Sequence, residues 1–243
     1  MRAMRFGGLG LMMAAASVTA PAMPALAAAQ KLTVTVEGVS KGKAIPADNA
    51  FCMPAAQGHA TLGPDKSPKI GWSAGPPKTQ SYAIIVVDTD APSVATDVNQ
   101  EGKTIPAKLK RAKFYHWVLV DIPASVTSLD AGADSESVTP HGKPPGPGKA
   151  GVRGINSYTD WFASDDSMKG NYAGYDGPCP PWNDSRRHHY HFTVYALDVP
   201  SLGLSGTFGA PDALKAMKRH VLAKGQVVGV YALNPAVAAK LQR

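Results

Sequence analysis

Apolar and polar residues alternate in Leu32-Thr33-Val34-Thr35-Val36 with the two-residue period of a half-buried strand. Lys69 to Ser73, around Ile70 and Trp72, is a second short candidate. Ser81 to Val87 reads differently. Its segment Ala83-Ile84-Ile85-Val86-Val87 is apolar at every position, as in a central strand covered on both faces. It runs into Asp88-Thr89-Asp90-Ala91-Pro92-Ser93, whose residues favour a turn. Phe114 to Ile122 predicts a further strand, ended by Pro123, and Tyr190 to Leu197 is a run of strong β-formers. Residues 130–152 are rich in Gly, Pro and charge and predict a long loop. Over Pro211 to Lys224, the apolar residues Leu214, Met217, Val221 and Leu222 share one helical face. Pro211 suits the first turn of that helix and Gly225 the position just past its end. Gln226 to Leu233 predicts a closing strand, with a short C-terminal helix after it.

Strands separated by long loops favour an antiparallel arrangement over repeated βαβ units. The chain shows no internal repeat and no inter-domain linker. The expected fold is mainly β: an antiparallel two-sheet β-sandwich with a few peripheral helices, forming one domain over residues 28–243. Residues 1–27 stand apart. Arg2 and Arg5 precede an uncharged apolar run from Gly7 to Ala20, and Ala25-Leu26-Ala27 is a small-x-small cleavage site. This is the pattern of a secretory signal peptide cut after Ala27, so the mature protein is expected to be periplasmic or secreted. The apolar run is too short for a comfortable span and is followed by Pro21 and Pro24, which disfavours a membrane anchor.

Hydrophobic residues make up 44% of the 243 and charged residues 18%, which excludes a disordered chain. The 24 glycines and 21 prolines agree with many turns and little helix. The formal charge is +7; without Arg2 and Arg5 it is 23 − 18 = +5. This modest excess suits an anionic ligand or, at most, peripheral contact with an anionic membrane surface. The basic residues are scattered, so nothing calls for nucleic acid, and the densest run, Lys108 to Lys113, reads as a solvated face. The two cysteines, Cys52 and Cys179, suggest one disulfide in an oxidising compartment; two separate buried thiols are the alternative.

Three segments carry candidate chemistry. In Asp88 to Ser93, the carboxylates either accept hydrogen bonds from turn amides, or one of them faces a pocket and orients a histidine. His116, in Tyr115-His116-Trp117-Val118, sits near the start of a strand, where a lone histidine is usually packed and hydrogen-bonded. Gly177-Pro178-Cys179-Pro180-Pro181 precedes His188-His189-Tyr190-His191. In a strand, His188 and Tyr190 share one face while His189 and His191 share the other, so the three histidines cannot surround one centre.

Together these segments resemble the phosphatidylethanolamine-binding protein family, which includes the Raf kinase inhibitor proteins, and most closely its bacterial branch. Ser67-Pro68-Lys69-Ile70-Gly71-Trp72 is similar to the bacterial Ser-Pro-x-x-x-Trp element, and Gly154-Ile155-Asn156 to its Gly-x-Asn element. The similarity covers most of residues 32–234. It implies a two-sheet fold with a small cavity for phosphate or a phospho-head-group. By position, the cavity should hold Asp88, His116, His188 and Tyr190, walled by the Gly177 to Pro181 loop with Pro180 and Pro181, and Asp90 belongs to the same motif. Two imidazoles and a phenol supply donors for phosphate oxygens, and an Asp beside a histidine favours imidazolium. Phe114 stands where an aromatic often lines the cavity, and Trp182, Arg186 and Arg187 replace a glycine-bearing link in a position to enlarge or recharge the rim.

A ligand-binding protein is therefore the leading expectation, with regulation of a secreted partner protein as a further role. The alternatives are a hydrolase using the Asp/His/Tyr pocket, with Ser93 as a nucleophile, and an inhibitor-like protein acting through surface loops. No Gly-x-Ser-x-Gly elbow supports catalysis, and no catalytic residue is assigned. A metal at Asp88, His116 and His188 lacks His-x-x-x-His or paired-Cys spacing, so no metal or cofactor is expected.

Overall fold

The computed structural model describes residues 31–241. The leader expected at 1–27 lies outside the described residues. In chain order the strands are β1 (Val34–Val36), β2 (Cys52–Pro54), β3 (Ala60–Leu62), β4 (Ile70–Trp72), β5 (Ser81–Pro92), β6 (Arg111–Pro123), β7 (Ser128–Leu129), β8 (Gly142–Lys143), β9 (Gly146–Pro147), β10 (Val152–Arg153), β11 (Asn171–Tyr172), β12 (His188–Leu197) and β13 (Val221–Tyr231). The helices are α1 (Tyr158–Trp161), α2 (Ala210–Met217) and α3 (Pro235–Ala238).

A six-stranded sheet runs β13-β12-β5-β6-β10-β9, and a three-stranded sheet runs β1-β4-β7. Their pairings are antiparallel, while the separate short β8–β11 pair is parallel. The main core lies between the two sheets. Val34, Ile70 and Trp72 meet Ile84, Leu119 and Phe192 there. On the other face of the large sheet, Ala83, Ile85, Val118 and Val120 pack against Ala213 and Met217 of α2. The uninterrupted apolar run of β5 thus serves two cores, its even-numbered residues facing one and its odd-numbered residues the other.

Four local expectations are corrected. The helix expected over Pro211 to Lys224 ends at Met217, and Val221 already belongs to β13. Gly225 is not a helix stop. It lies in β13, where a side chain would collide with the Leu32 carbonyl, so glycine lets the N-terminal segment cross close to the strand. The turn expected at Asp88 to Ser93 is instead the end of β5, which continues to Pro92. The loop expected at 130–152 holds the short strands β8 and β9. The short C-terminal helix is present, with the Asn234 side chain accepting from the Ala236 and Val237 amides.

Candidate functional site

Irregular pairing between β5 and β6 shapes one end of the large sheet. Val86 pairs with Trp117 and Val87 with Tyr115, which leaves His116 as an extra residue on β6. By strict alternation His116 would share the outer face with Val118. The bulge turns it inward beside Trp117, within 5.1 Å of the Tyr190 ring. A second irregularity separates Asp88, paired with Phe114, from Ala91, paired with Ala112. Asp88 keeps the inward face of β5. Asp90 turns away to meet His189 and Arg186.

These side chains line a cavity of about 480 Å³. It brings together Asp88, His116, Pro180, Pro181, His188 and Tyr190. Two of the residues expected at the site, Asp90 and Gly177, are not in its wall. Gly177 works behind it: a Cβ there would collide with the Asn49 carbonyl, while its amide donates to Asp65 Oδ1 at 2.6 Å and its carbonyl accepts from the Tyr158 hydroxyl at 2.8 Å. Ser93 is likewise absent from the cavity wall. Cys52 and Cys179 form a disulfide that ties β2 to the proline-rich wall.

The two histidines are held in opposite ways. His188 Nδ1 lies 2.6 Å from Asp88 Oδ2, and its Nε2 lies 3.2 Å from Asp184 Oδ2. Burial pulls this imidazole's pKa down, but Asp88 and Asp184 outweigh it and set the value at about 9. His188 is therefore an imidazolium with both N–H groups committed to carboxylates. Behind it, Arg111 donates to both oxygens of Asp184, at 2.5 and 3.1 Å. Burial works against the Asp184 carboxylate, yet His188 and Arg111 hold its pKa below the ordinary value. The row Asp88, His188, Asp184, Arg111 alternates in sign.

His116 is buried without a carboxylate contact. Burial lowers its pKa, against a weaker opposing pull from the Asp88 charge and the Asp176 carbonyl. Its Nδ1 lies 2.8 Å from that carbonyl oxygen, which fixes the proton on Nδ1. Nε2 then carries a lone pair, is fully buried and has no partner among the described residues. The Tyr190 hydroxyl is equally buried and equally unpartnered. Burial pushes that phenol well above its usual range, so it keeps its proton.

Apart from Phe114, which the resemblance places at the cavity, the sequence does not mark the rest of the wall. Phe51, Phe114, Tyr158 and Phe162 supply aromatic surface, and Trp161 and Leu62 border it while remaining exposed. The segment between β5 and β6 contributes Ala95, Val98 and Asn99. Asn183 holds it there: its side chain donates to the carbonyls of Asp97 at 2.8 Å and Lys103 at 3.2 Å, and accepts from the Asn99 amide at 3.1 Å. Trp182 stacks on His59 at 3.6 Å, and Arg186 pairs with Asp90 at 2.7 Å. Arg187 borders a separate depression floored by Val227 and Val228. Asp184 and Arg111 could have been sought as charged residues near the histidine motif. The aromatics after Asn156 carry no comparable signal.

The family model for phosphatidylethanolamine-binding protein matches residues 35–232. The UPF0098 protein YbcL of Escherichia coli is 27% identical over 210 residues, 86% of this chain and 91% of that protein. A UPF0098 protein of Aquifex aeolicus is 32% identical over 170 residues, 70% of this chain and 75% of that protein. The crystal structure of Escherichia coli YbcL, described as a new member of the mammalian PEBP family, superimposes with a TM-score of 0.59 at 24% identity. It covers 84% of this chain and 99% of that one, and at that identity it speaks to the fold alone.

Proposed function

We propose, from the premise that this chain belongs to the phosphatidylethanolamine-binding protein family, that it is an exported binding protein whose cavity takes a phosphate-like head group against His116 and Tyr190. The observation that carries this reading is the pair of buried, unpartnered polar atoms, His116 Nε2 and Tyr190 Oη. Leaving such groups unsatisfied costs about 1–3 kcal/mol each, which a ligand would recover. A phosphate monoanion satisfies both: one oxygen accepts from the Tyr190 hydroxyl, and one P–OH donates to His116 Nε2. A dianion does the same if His116 takes up a proton. In either form the complex holds one proton between ligand and imidazole.

His188 plays another part. With both nitrogens facing carboxylates, it fixes Asp88 and the strand end rather than offering an N–H to the ligand. Export is supported by the leader pattern and by the disulfide, which suits an oxidising compartment.

Calorimetric titration of the mature protein with phosphate and phosphoethanolamine tests the proposal. Saturable binding is expected, weakened roughly ten- to hundredfold in Tyr190→Phe, the loss of one hydrogen bond to a charged group. Affinity should fall as pH rises through the histidine and phosphate range, because the complex must retain its proton. Absence of binding, or equal affinity in Tyr190→Phe, would count against the site.

A further inference from the structure

A phosphate group cannot fill a cavity of about 480 Å³, a volume within the range that holds drug-sized organic ligands. The polar floor at His116 and Tyr190 is one corner of it. The remaining wall is mostly apolar and includes the rings of Phe51, Phe114, Tyr158, Trp161 and Phe162. Phe51, Tyr158 and Phe162 form a mutual cluster, with centroids 4.5 Å apart for Phe51–Tyr158, 5.6 Å for Tyr158–Phe162 and 5.8 Å for Phe51–Phe162. Trp161 borders the mouth with 45% of its surface exposed and, among the described residues, takes part in no ring pair. Leu62, 53% exposed, borders the same opening. Large apolar side chains exposed beside a concave apolar wall mark a binding surface more than a folding need.

Charge narrows the choice. Among the described residues, no lysine or arginine lines the cavity. The His188 charge is neutralised between Asp88 and Asp184. At the mouth Asp165 adds an exposed carboxylate. A second anionic group on the ligand would find no cation there, which disfavours polyphosphates. An extended polar body would lose its water to aromatic faces without compensation.

We propose that the ligand is a compact amphiphile with one phosphate-like head and one aromatic ring, the ring resting between Phe162 of the aromatic cluster and the free face of Trp161. This rests on the head-group reading above and adds the body that the head carries. Offset or edge-on ring contacts in such a wall add to the gain from buried area.

The test compares inorganic phosphate, phosphoethanolamine and phenyl phosphate by calorimetry on the mature wild-type protein and on Trp161→Ala. Phenyl phosphate should bind roughly ten- to hundredfold more tightly than phosphate, while the small polar tail of phosphoethanolamine gives no such gain. In Trp161→Ala the ratio of phenyl phosphate to phosphate affinity should shrink by roughly fivefold or more. Trp161 is half-exposed, and a thermal melt verifies that the variant folds. Equal affinity for all three probes would overturn the aromatic subsite and leave the head-group site standing. So would a gain for phosphoethanolamine as large as for phenyl phosphate. Silence from all three would overturn both.

Discussion

At the scale of single residues, the cavity sets two imidazoles at opposite ends of their titration range. His188 is held charged by Asp88 and Asp184, and His116 is held neutral by burial. Removing one carboxylate should show which contact matters. In Asp184→Asn, the His188 pKa should fall from about 9 toward its ordinary value, with the remaining elevation supplied by Asp88. Histidine ring resonances followed against pH by NMR check this directly; an unmoved midpoint would mean that Asp184 does not act on His188. Alternation along β12 told from sequence that His188 and Tyr190 share a face. It could not tell that both nitrogens of His188 are occupied, because Asp184 is brought beside it by a loop with no fixed period.

At the scale of elements, the central strands were legible because Ala83 to Val87 of β5 is an unbroken apolar run and β12 is rich in strong β-formers. The inward turn of His116 was not. A bulge is one residue of irregular pairing, and alternation by itself places His116 on the wrong face. The helix at 210–217 is shorter than its apolar stripe predicts, because Val221 and Leu222 fit that stripe. What converts them to strand is pairing with β12, a tertiary fact. The proline-rich wall depends on the Cys52–Cys179 disulfide, which closes a separation of 127 residues. In Cys179→Ser, stability should drop by about 2–5 kcal/mol in denaturant unfolding, and ligand affinity should weaken as the wall loosens. An unchanged midpoint would mean that the hydrogen bonds of the wall suffice. The Asn183 clamp predicts a second effect. Asn183→Ala should speed amide exchange at Asn99 and Ile105, whose N–H groups bond to the Asn183 side chain and carbonyl, while β5 and β12 keep their protection.

For the whole molecule, the two histidines give stability a defined pH dependence. His188 has a folded pKa of about 9, raised above the ordinary 6.5. Its contribution, about 3 kcal/mol on that shift, is complete below pH 6.5 and is lost as pH rises through about 9. His116 has a lowered pKa, so its effect has the opposite sign: stability falls as pH drops through 6.5 and the unfolded chain takes up a proton that the fold refuses. Urea unfolding across pH should therefore show a loss on the alkaline side that disappears in a His188→Gln variant; a flat alkaline limb in the wild type would refute the assignment. The central claim, a head group bound with one retained proton at His116 and Tyr190, is tested most directly by titrating phosphoethanolamine at about pH 8, where its phosphate is dianionic, in two buffers of different ionisation enthalpy. Uptake of roughly one proton per ligand bound is the predicted result. Binding without proton uptake would contradict it.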